Sequence, residues 1–424
     1  MTPTLPDSDG FDYRDGQLHA EQVSLGTLAE RFGTPLYVYS RRAIERAYDR
    51  YADALSGRSS LVCYAMKANS NLAVLDLLAR RGAGFDIVSG GELERVLAAG
   101  GDPSRTVFSG VGKSVAEIEQ ALRADILCFN IESAPELERI DAVARRLGTR
   151  ARISVRVNPD VDARTHPYIS TGLKNNKFGV AYADTLALYR DAARRPGIEI
   201  VGIDCHIGSQ ITEAGPYIDA AERVLDLVDG LERDGIGLRH IDFGGGLGIR
   251  YGEETPPATG ELVAALMARV DARGHGAKTV MFEPGRSLVG NAGVLLTRVE
   301  YLKPGEARSF AIVDGAMNDL MRPTMYDAWM GAVPVCPRDG AASVYDIVGP
   351  VCESGDWLAR DRTLVLRPGD LLAITSAGAY GMAMSSNYNT RGRAAEVMVD
   401  GDHAYLVRAR ERPAQLFAGE SRLP

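Results

Sequence analysis

Eight short apolar runs, separated by stretches with helical periodicity, fill the first two thirds of the chain and constrain its fold more than any other feature. They fall at residues 61–66, 84–88, 106–109, 126–131, 152–157, 198–207, 240–243 and 279–282. Between most of them apolar residues recur at helical spacing, as in Glu92-Leu93-Glu94-Arg95-Val96-Leu97 and across 217–231. Strands that alternate with helices form parallel sheets, because a parallel neighbour can be reached only through a long crossover. Eight such units close a (β/α)8 TIM-type barrel. An open doubly wound sheet is the alternative, and it predicts a glycine-rich fingerprint after the first strand. That position holds Lys67-Ala68-Asn69-Ser70-Asn71 instead.

After about residue 290 the texture changes. Runs at 294–302, 310–313, 363–366, 370–375 and 395–399 lack helical spacing, and Asp400-Gly401 between 396–399 and 404–407 marks a hairpin. A chain of 424 residues also exceeds the ~250–300 at which one core stops growing. The sequence therefore predicts an α/β barrel over 40–288. It also predicts an all-β domain, barrel-like or sandwich-like, built from 289–424 with 1–39, the latter through Pro35-Leu36-Tyr37-Val38-Tyr39. A net charge of −8 with no basic stripe argues against a nucleic-acid partner. The N-terminus is polar and acidic, and no run of ~18 apolar residues occurs, so no membrane association is expected. The five cysteines are odd in number and dispersed, which points to a reducing, cytoplasmic setting. Cys63, Cys128 and Cys205 sit in apolar runs and read as core. Cys352 sits in the polar turn Gly349-Pro350-Val351-Cys352-Glu353-Ser354-Gly355-Asp356. The six histidines lack ligand spacing, so no metal is expected.

In a barrel of this type the functional groups stand at the carboxyl ends of the strands. Lys67 ends the first run, Asp86 and Ser89 the second, Asn158 the fifth, His206 the sixth, Gly244-Gly245-Gly246 the seventh and Glu283 the eighth. An ammonium gains little from an apolar strand end unless it is paired, and a desolvated amine is a nucleophile toward an aldehyde. The competing reading is a lysine that snorkels into solvent. Backbone N–H groups of the glycine turn are expected to face an anion. The carboxylate of Glu283 in Glu283-Pro284-Gly285-Arg286 suits a protonated ring nitrogen, and His206 in His206-Ile207-Gly208-Ser209-Gln210 suits the face of a flat ring. An aldehyde, a phosphate, a ring nitrogen and a ring face together describe pyridoxal 5′-phosphate.

Through YAMKAN around Lys67, FDIVSGGE from Phe85, HIGSQ, FGGGLG, EPGR and GPVCESGD, the chain resembles the barrel-fold pyridoxal-phosphate decarboxylases that act on ornithine, diaminopimelate or arginine. The resemblance spans nearly the whole length. It implies a barrel followed by a β domain, and a homodimer with shared active sites. It further implies carbon dioxide release from meso-2,6-diaminopimelate to give L-lysine, the last step of lysine biosynthesis. By that resemblance Lys67 anchors the cofactor covalently, Glu283 pairs with its ring nitrogen and His206 stacks on it. Asp86, Ser209, Gly244, Gly245, Gly246, Gly285, Arg286 and Tyr380 complete the cofactor's surroundings. Arg286, Arg322, Tyr326, Glu353 and Tyr380 match substrate contacts, and Cys352 matches a proton donor contributed by the partner subunit.

The rival reading within the family is a decarboxylase of ornithine, arginine or a polyamine precursor. Arg322 would then lack a distal carboxylate to bind, and Glu353 suits a far-end α-amino group. An amino-acid racemase is a further alternative, disfavoured because a carboxylate at the ring nitrogen deepens the electron sink. The polar stretch 165–179 has no clear period and is expected to act as a lid or to be an ordinary loop.

Overall fold

The computed structural model describes residues 5, 10–162 and 176–424, and the chain divides into two compact units. One comprises Tyr48–Gly248 and Thr255–Ser287. The other comprises Met1–Ala47, Ile249–Glu254 and Leu288–Pro424.

The first unit is a closed parallel barrel. Its strands are Ser60–Ala65, Gly84–Ile87, Thr106–Phe108, Cys128–Ile131, Ala151–Asn158, Ile198–Cys205, His240–Asp242 and Thr279–Phe282. Each pairs in parallel with the next, and Thr279–Phe282 returns to Ser60–Ala65 in the register Met281↔Leu61. All eight expected runs became strands, and closure excludes the open sheet. Crossover helices form where the sequence carries both an apolar stripe and a start signal. Ser89, Ser114 and Ser133 each accept the N–H three residues on, capping Gly90–Ala98, Val115–Arg123 and Ala134–Arg146. Ser114 and Glu117 form a reciprocal capping box.

Inside the barrel, Leu61, Cys63, Val107, Cys128, Val201 and Met281 pack into one apolar layer. Burial pushes the Cys63 and Cys128 thiols up, so they stay protonated and act as small core residues. Because strand side chains repeat every two residues on one face, Asn130 follows Cys128 and Glu283 follows Met281 toward the carboxyl end. An apolar floor thus carries a polar rim.

The second unit is built on a sheet in the order Trp357–Leu364, Ser343–Val348, Ser309–Val313, Gly293–Lys303, Leu36–Ser40, Ala395–Asp400, His403–Arg408, with Leu371–Ile374 joining Gly293–Lys303 and Ala332–Pro334. Leu36–Ser40 sits between Gly293–Lys303 and Ala395–Asp400, so the N-terminal segment does join these strands. The run expected at 363–366 is the end of a longer strand, Trp357–Leu364. The hairpin turn is Gly401-Asp402, one residue later than expected, since Asp400 pairs with His403. Ser343–Val348 and the meander of Phe11–Arg14, Gln17–Ala20 and Val23–Ser24 escaped the sequence reading because they are short and carry no continuous apolar run. Among the described residues, no helix is long and apolar enough to cross a membrane.

Candidate active site

Lys67 lies just beyond the first strand, on the short 3-10 turn Met66–Ala68. Its Nζ is 2.5 Å from Asp86 Oδ2 at the end of the second strand. The Asp86 side chain is fully buried, whereas that of Lys67 is 37 % exposed. The ammonium is therefore balanced by an ion pair, the condition under which such a strand end tolerates it, and remains reachable. The Lys67 turn is tied to the eighth strand's loop, where Ala65 N–H donates to Pro284 O at 3.0 Å. Gly285 allows that approach, since a Cβ there would stand 2.9 Å from Ala65 O.

Glu283 is buried at the rim, and Asn130 Nδ2 donates to its Oε1 at 3.2 Å and to Ser109 Oγ at 3.0 Å. Asp204 and Asp242 come from the ends of the sixth and seventh strands. Together with Glu283 each offers a carboxylate oxygen, all within 4.8 Å of one another. Among the described residues, Asp86 Oδ1, Asp204 Oδ1 and Asp242 Oδ2 are buried without a hydrogen-bond partner. Burial, and then the negative charges of Asp86, Asp242 and Asp204, push the Glu283 carboxyl well above the usual carboxylate range. Asp242 is raised by burial and by Asp204, against the Gly244 N–H that donates to its Oδ1 at 2.8 Å. Burial pushes Asp204 up to about 7, opposed by the Arg156 guanidinium 4.0 Å away. Crowded buried acids of this kind share protons and favour a cationic neighbour.

His206 follows the sixth strand. Burial, then the cations Arg156 and Lys67, hold its pKa well below the ordinary value, so the ring is neutral. Its Nδ1 accepts Gly245 N–H at 3.1 Å, which leaves the ring proton on Nε2. The glycine turn differs from expectation in this respect. The N–H groups of Gly244 and Gly245 already meet Asp242 and His206, so these residues shape the turn rather than present open donors to an anion. Gly246, with φ 99°, approaches Gly208 so closely that a Cβ would lie 2.2 Å from its carbonyl oxygen. Arg286 is buried and donates from Nε and Nη2 to Ser209 Oγ at 3.3 and 2.9 Å, so these two residues expected around the cofactor stand together.

The remaining expected residues belong to the β-rich unit. Arg322 is buried, while Cys352 and Glu353 are exposed. Cys352 N–H donates to Asn389 Oδ1 at 2.9 Å, and Tyr388 Oη lies 3.5 Å from Glu353 Oε2. Buried Asp356 holds their turn by accepting Met317 N–H at 2.6 Å and Val351 N–H at 2.7 Å. Tyr326 is partly buried at the end of the helix Arg322–Tyr326. Tyr380 is also partly buried and adopts a left-handed φ of 55°, a conformation that non-glycine residues keep only where the surroundings enforce it.

Sequence reasoning missed Asn130, Asp204 and Arg156. Each is a polar residue inside an apolar strand, the same signal that singled out Lys67. Most of the expected lid lies outside the described residues. Its described tail is held at the rim, where Gly179 N–H donates to Glu132 Oε2 at 2.7 Å and the Phe178 ring packs on Arg156 at 5.1 Å.

A reachable amine, a buried acid with high proton affinity, a neutral imidazole and a cation at Ser209 are the donor set that an aldehyde-bearing, anionic, protonated heteroaromatic ring requires. The orphaned carboxylate oxygens favour such a cation, so the residues fit pyridoxal phosphate. Residues 41–290 match the family described as pyridoxal-dependent decarboxylase, pyridoxal binding domain. A diaminopimelate decarboxylase of Pseudomonas aeruginosa is 61% identical over 98% of this chain and 100% of its own length. The structure of diaminopimelate decarboxylase from M. jannaschii in co-complex with L-lysine superposes with a TM-score of 0.94 at 38% identity, covering 99% of both chains. That of the Helicobacter pylori enzyme complexed with L-lysine gives 0.89 at 43% identity, covering 93% of this chain and 98% of its own. The chain belongs to the pyridoxal-dependent decarboxylase family, among its diaminopimelate decarboxylases.

Proposed function

We propose that this chain decarboxylates meso-2,6-diaminopimelate to L-lysine and carbon dioxide, using bound pyridoxal 5′-phosphate in a cytoplasmic homodimer with shared active sites. The observation that carries the chemistry is the rim of the barrel, where the Lys67–Asp86 pair and the proton-holding Glu283 stand at the ends of three neighbouring strands, the first of which pairs with both the second and the eighth. The five free thiols accord with a reducing compartment.

When bound, pyridoxal phosphate supplies an aldehyde and a conjugated ring that accepts the electron pair left by the departing carboxylate. Lys67 holds it through its amine, and Asp86 orients that amine. Glu283, fixed by Asn130 and crowded by Asp242, keeps a proton at the ring nitrogen. His206 offers a neutral ring face fixed by Gly245, and Arg286 with Ser209 supplies positive charge at the same rim, with Gly244, Gly245, Gly246 and Gly285 shaping the backbone around it. In the β-rich unit, exposed Cys352 donates the proton that Cα takes up after carbon dioxide leaves, reaching it from the second copy. Arg322 takes the distal carboxylate and Glu353 the distal ammonium, with Tyr326 and Tyr380 beside them, so substrates lacking either group bind poorly.

Carbon dioxide release should be measured from meso-diaminopimelate, ornithine, arginine and lysine, with and without added cofactor. Release confined to diaminopimelate and dependent on cofactor is expected. Preference for ornithine or arginine overturns the substrate, and racemisation without gas overturns the reaction class.

A further inference from the structure

A guanidinium binds a carboxylate through two parallel N–H bonds, and its plane must be set before the ligand arrives for that geometry to select anything. Arg322 opens the helix Arg322–Tyr326 and is buried. Its guanidinium carbon lies 4.5 Å from the centroid of the Tyr251 ring, and Nη1 is 3.4 Å from Met330 Sδ. A ring face and a thioether fix the plane by contact.

Tyr251 is itself buried and belongs to Ile249–Glu254, a short excursion that follows the glycine turn of the seventh barrel strand but groups with the β-rich unit. The excursion is pinned. Glu254 Oε2 accepts the N–H groups of Tyr251 at 3.1 Å and Gly252 at 2.6 Å, and Asn291 Nδ2 donates to Arg250 O at 3.0 Å. Trp329 packs on Gly252, where a Cβ would meet its ring at 3.4 Å, and the Arg362 guanidinium covers the Trp329 ring at 4.4 Å.

We propose that Tyr251 is a positioning residue for substrate specificity: its ring sets the plane of the Arg322 guanidinium and so selects ligands that carry a carboxylate at the far end. This rests on the assignment of Arg322 to the distal carboxylate made above. The ring face carries negative potential, so it holds the cation without using the N–H edge that a carboxylate needs.

The test is equilibrium binding of two probes to the cofactor-loaded enzyme by calorimetry. L-lysine keeps the far-end carboxylate, whereas 1,5-diaminopentane lacks it. Tyr251→Leu should weaken L-lysine by about tenfold and leave diaminopentane within about twofold. Tyr251→Phe should bind both as the parent does. Should the leucine variant fail to fold, Tyr251→Phe carrying a pentafluorinated ring keeps the shape while removing the negative face, and the same selective loss is expected relative to Tyr251→Phe. Equal loss of both probes, or no loss with the fluorinated ring, overturns the role of Tyr251. Full-strength L-lysine binding by Arg322→Lys would instead overturn the assignment of Arg322 on which it depends.

Discussion

Replacing Lys67 by methionine removes the ion-pair partner of a carboxylate that has no exposure of its own. Breaking a fully buried pair costs about 3–5 kcal/mol. Lys67 is 37 % exposed, so water entering at its end recovers part of the lost interaction. Cofactor-free Lys67→Met should therefore lose about 2–4 kcal/mol. Adding Asp86→Asn should restore most of the loss. Chemical denaturation followed by far-UV ellipticity reads the barrel, which contains the long helices Ala134–Arg146, Gly215–Arg233 and Thr259–Ala272. Tryptophan fluorescence reads the other unit, because Trp329 and Trp357 both lie there. An ellipticity midpoint that is unchanged, or no better in the double variant, would refute the pairing argument.

Three further outcomes follow from the same structure. Asp356→Ala leaves two buried N–H donors without their acceptor and should destabilise the β-rich unit by about 2–5 kcal/mol in tryptophan fluorescence, whereas Cys352→Ala, at an exposed position, should stay within about 0.5 kcal/mol; equal effects would contradict the role of Asp356. Asp204 holds its proton more tightly folded than unfolded, so its contribution to cofactor-free stability is full below 3.8 and is lost as pH rises through about 7. His206, kept neutral, acts in the opposite sense, so the quantity to read is the difference from parent, and Asp204→Asn should gain stability relative to parent across that window. An unchanged slope would count against the buried-acid cluster. Glu283→Gln should retain bound cofactor by absorbance but lose about a hundredfold in kcat, since an amide cannot keep a proton at the ring nitrogen; undiminished turnover would remove Glu283 from the mechanism.

The barrel was legible because a parallel strand buried on both sides must be a short apolar run, and the intervening helices announce themselves through periodicity. Lys67 and Glu283 were legible for a related reason: a charged residue at the end of an apolar run needs a compensating neighbour. Asn130, Asp204 and Arg156 carried the same signal but sit inside runs, where one polar letter is easily absorbed into an apolar pattern. The meander near the N-terminus and the strand Ser343–Val348 were not legible, because these short, partly exposed strands carry no continuous apolar run.

By itself the sequence determined the two architectures, the order of the strand ends and the residue types offered at each, since these depend on local periodicity and on motifs read along the chain. Tertiary structure decided which of those residues meet. Closing the barrel brought Asp204, Asp242 and Glu283 within one carboxylate's reach, paired Lys67 with Asp86 and turned the N–H groups of Gly244 and Gly245 inward. Packing within the β-rich unit set Tyr251 against Arg322 from a segment far away in the chain. Proton affinity, ring tautomer and guanidinium plane all depend on neighbours distant in sequence, and no local pattern specifies them.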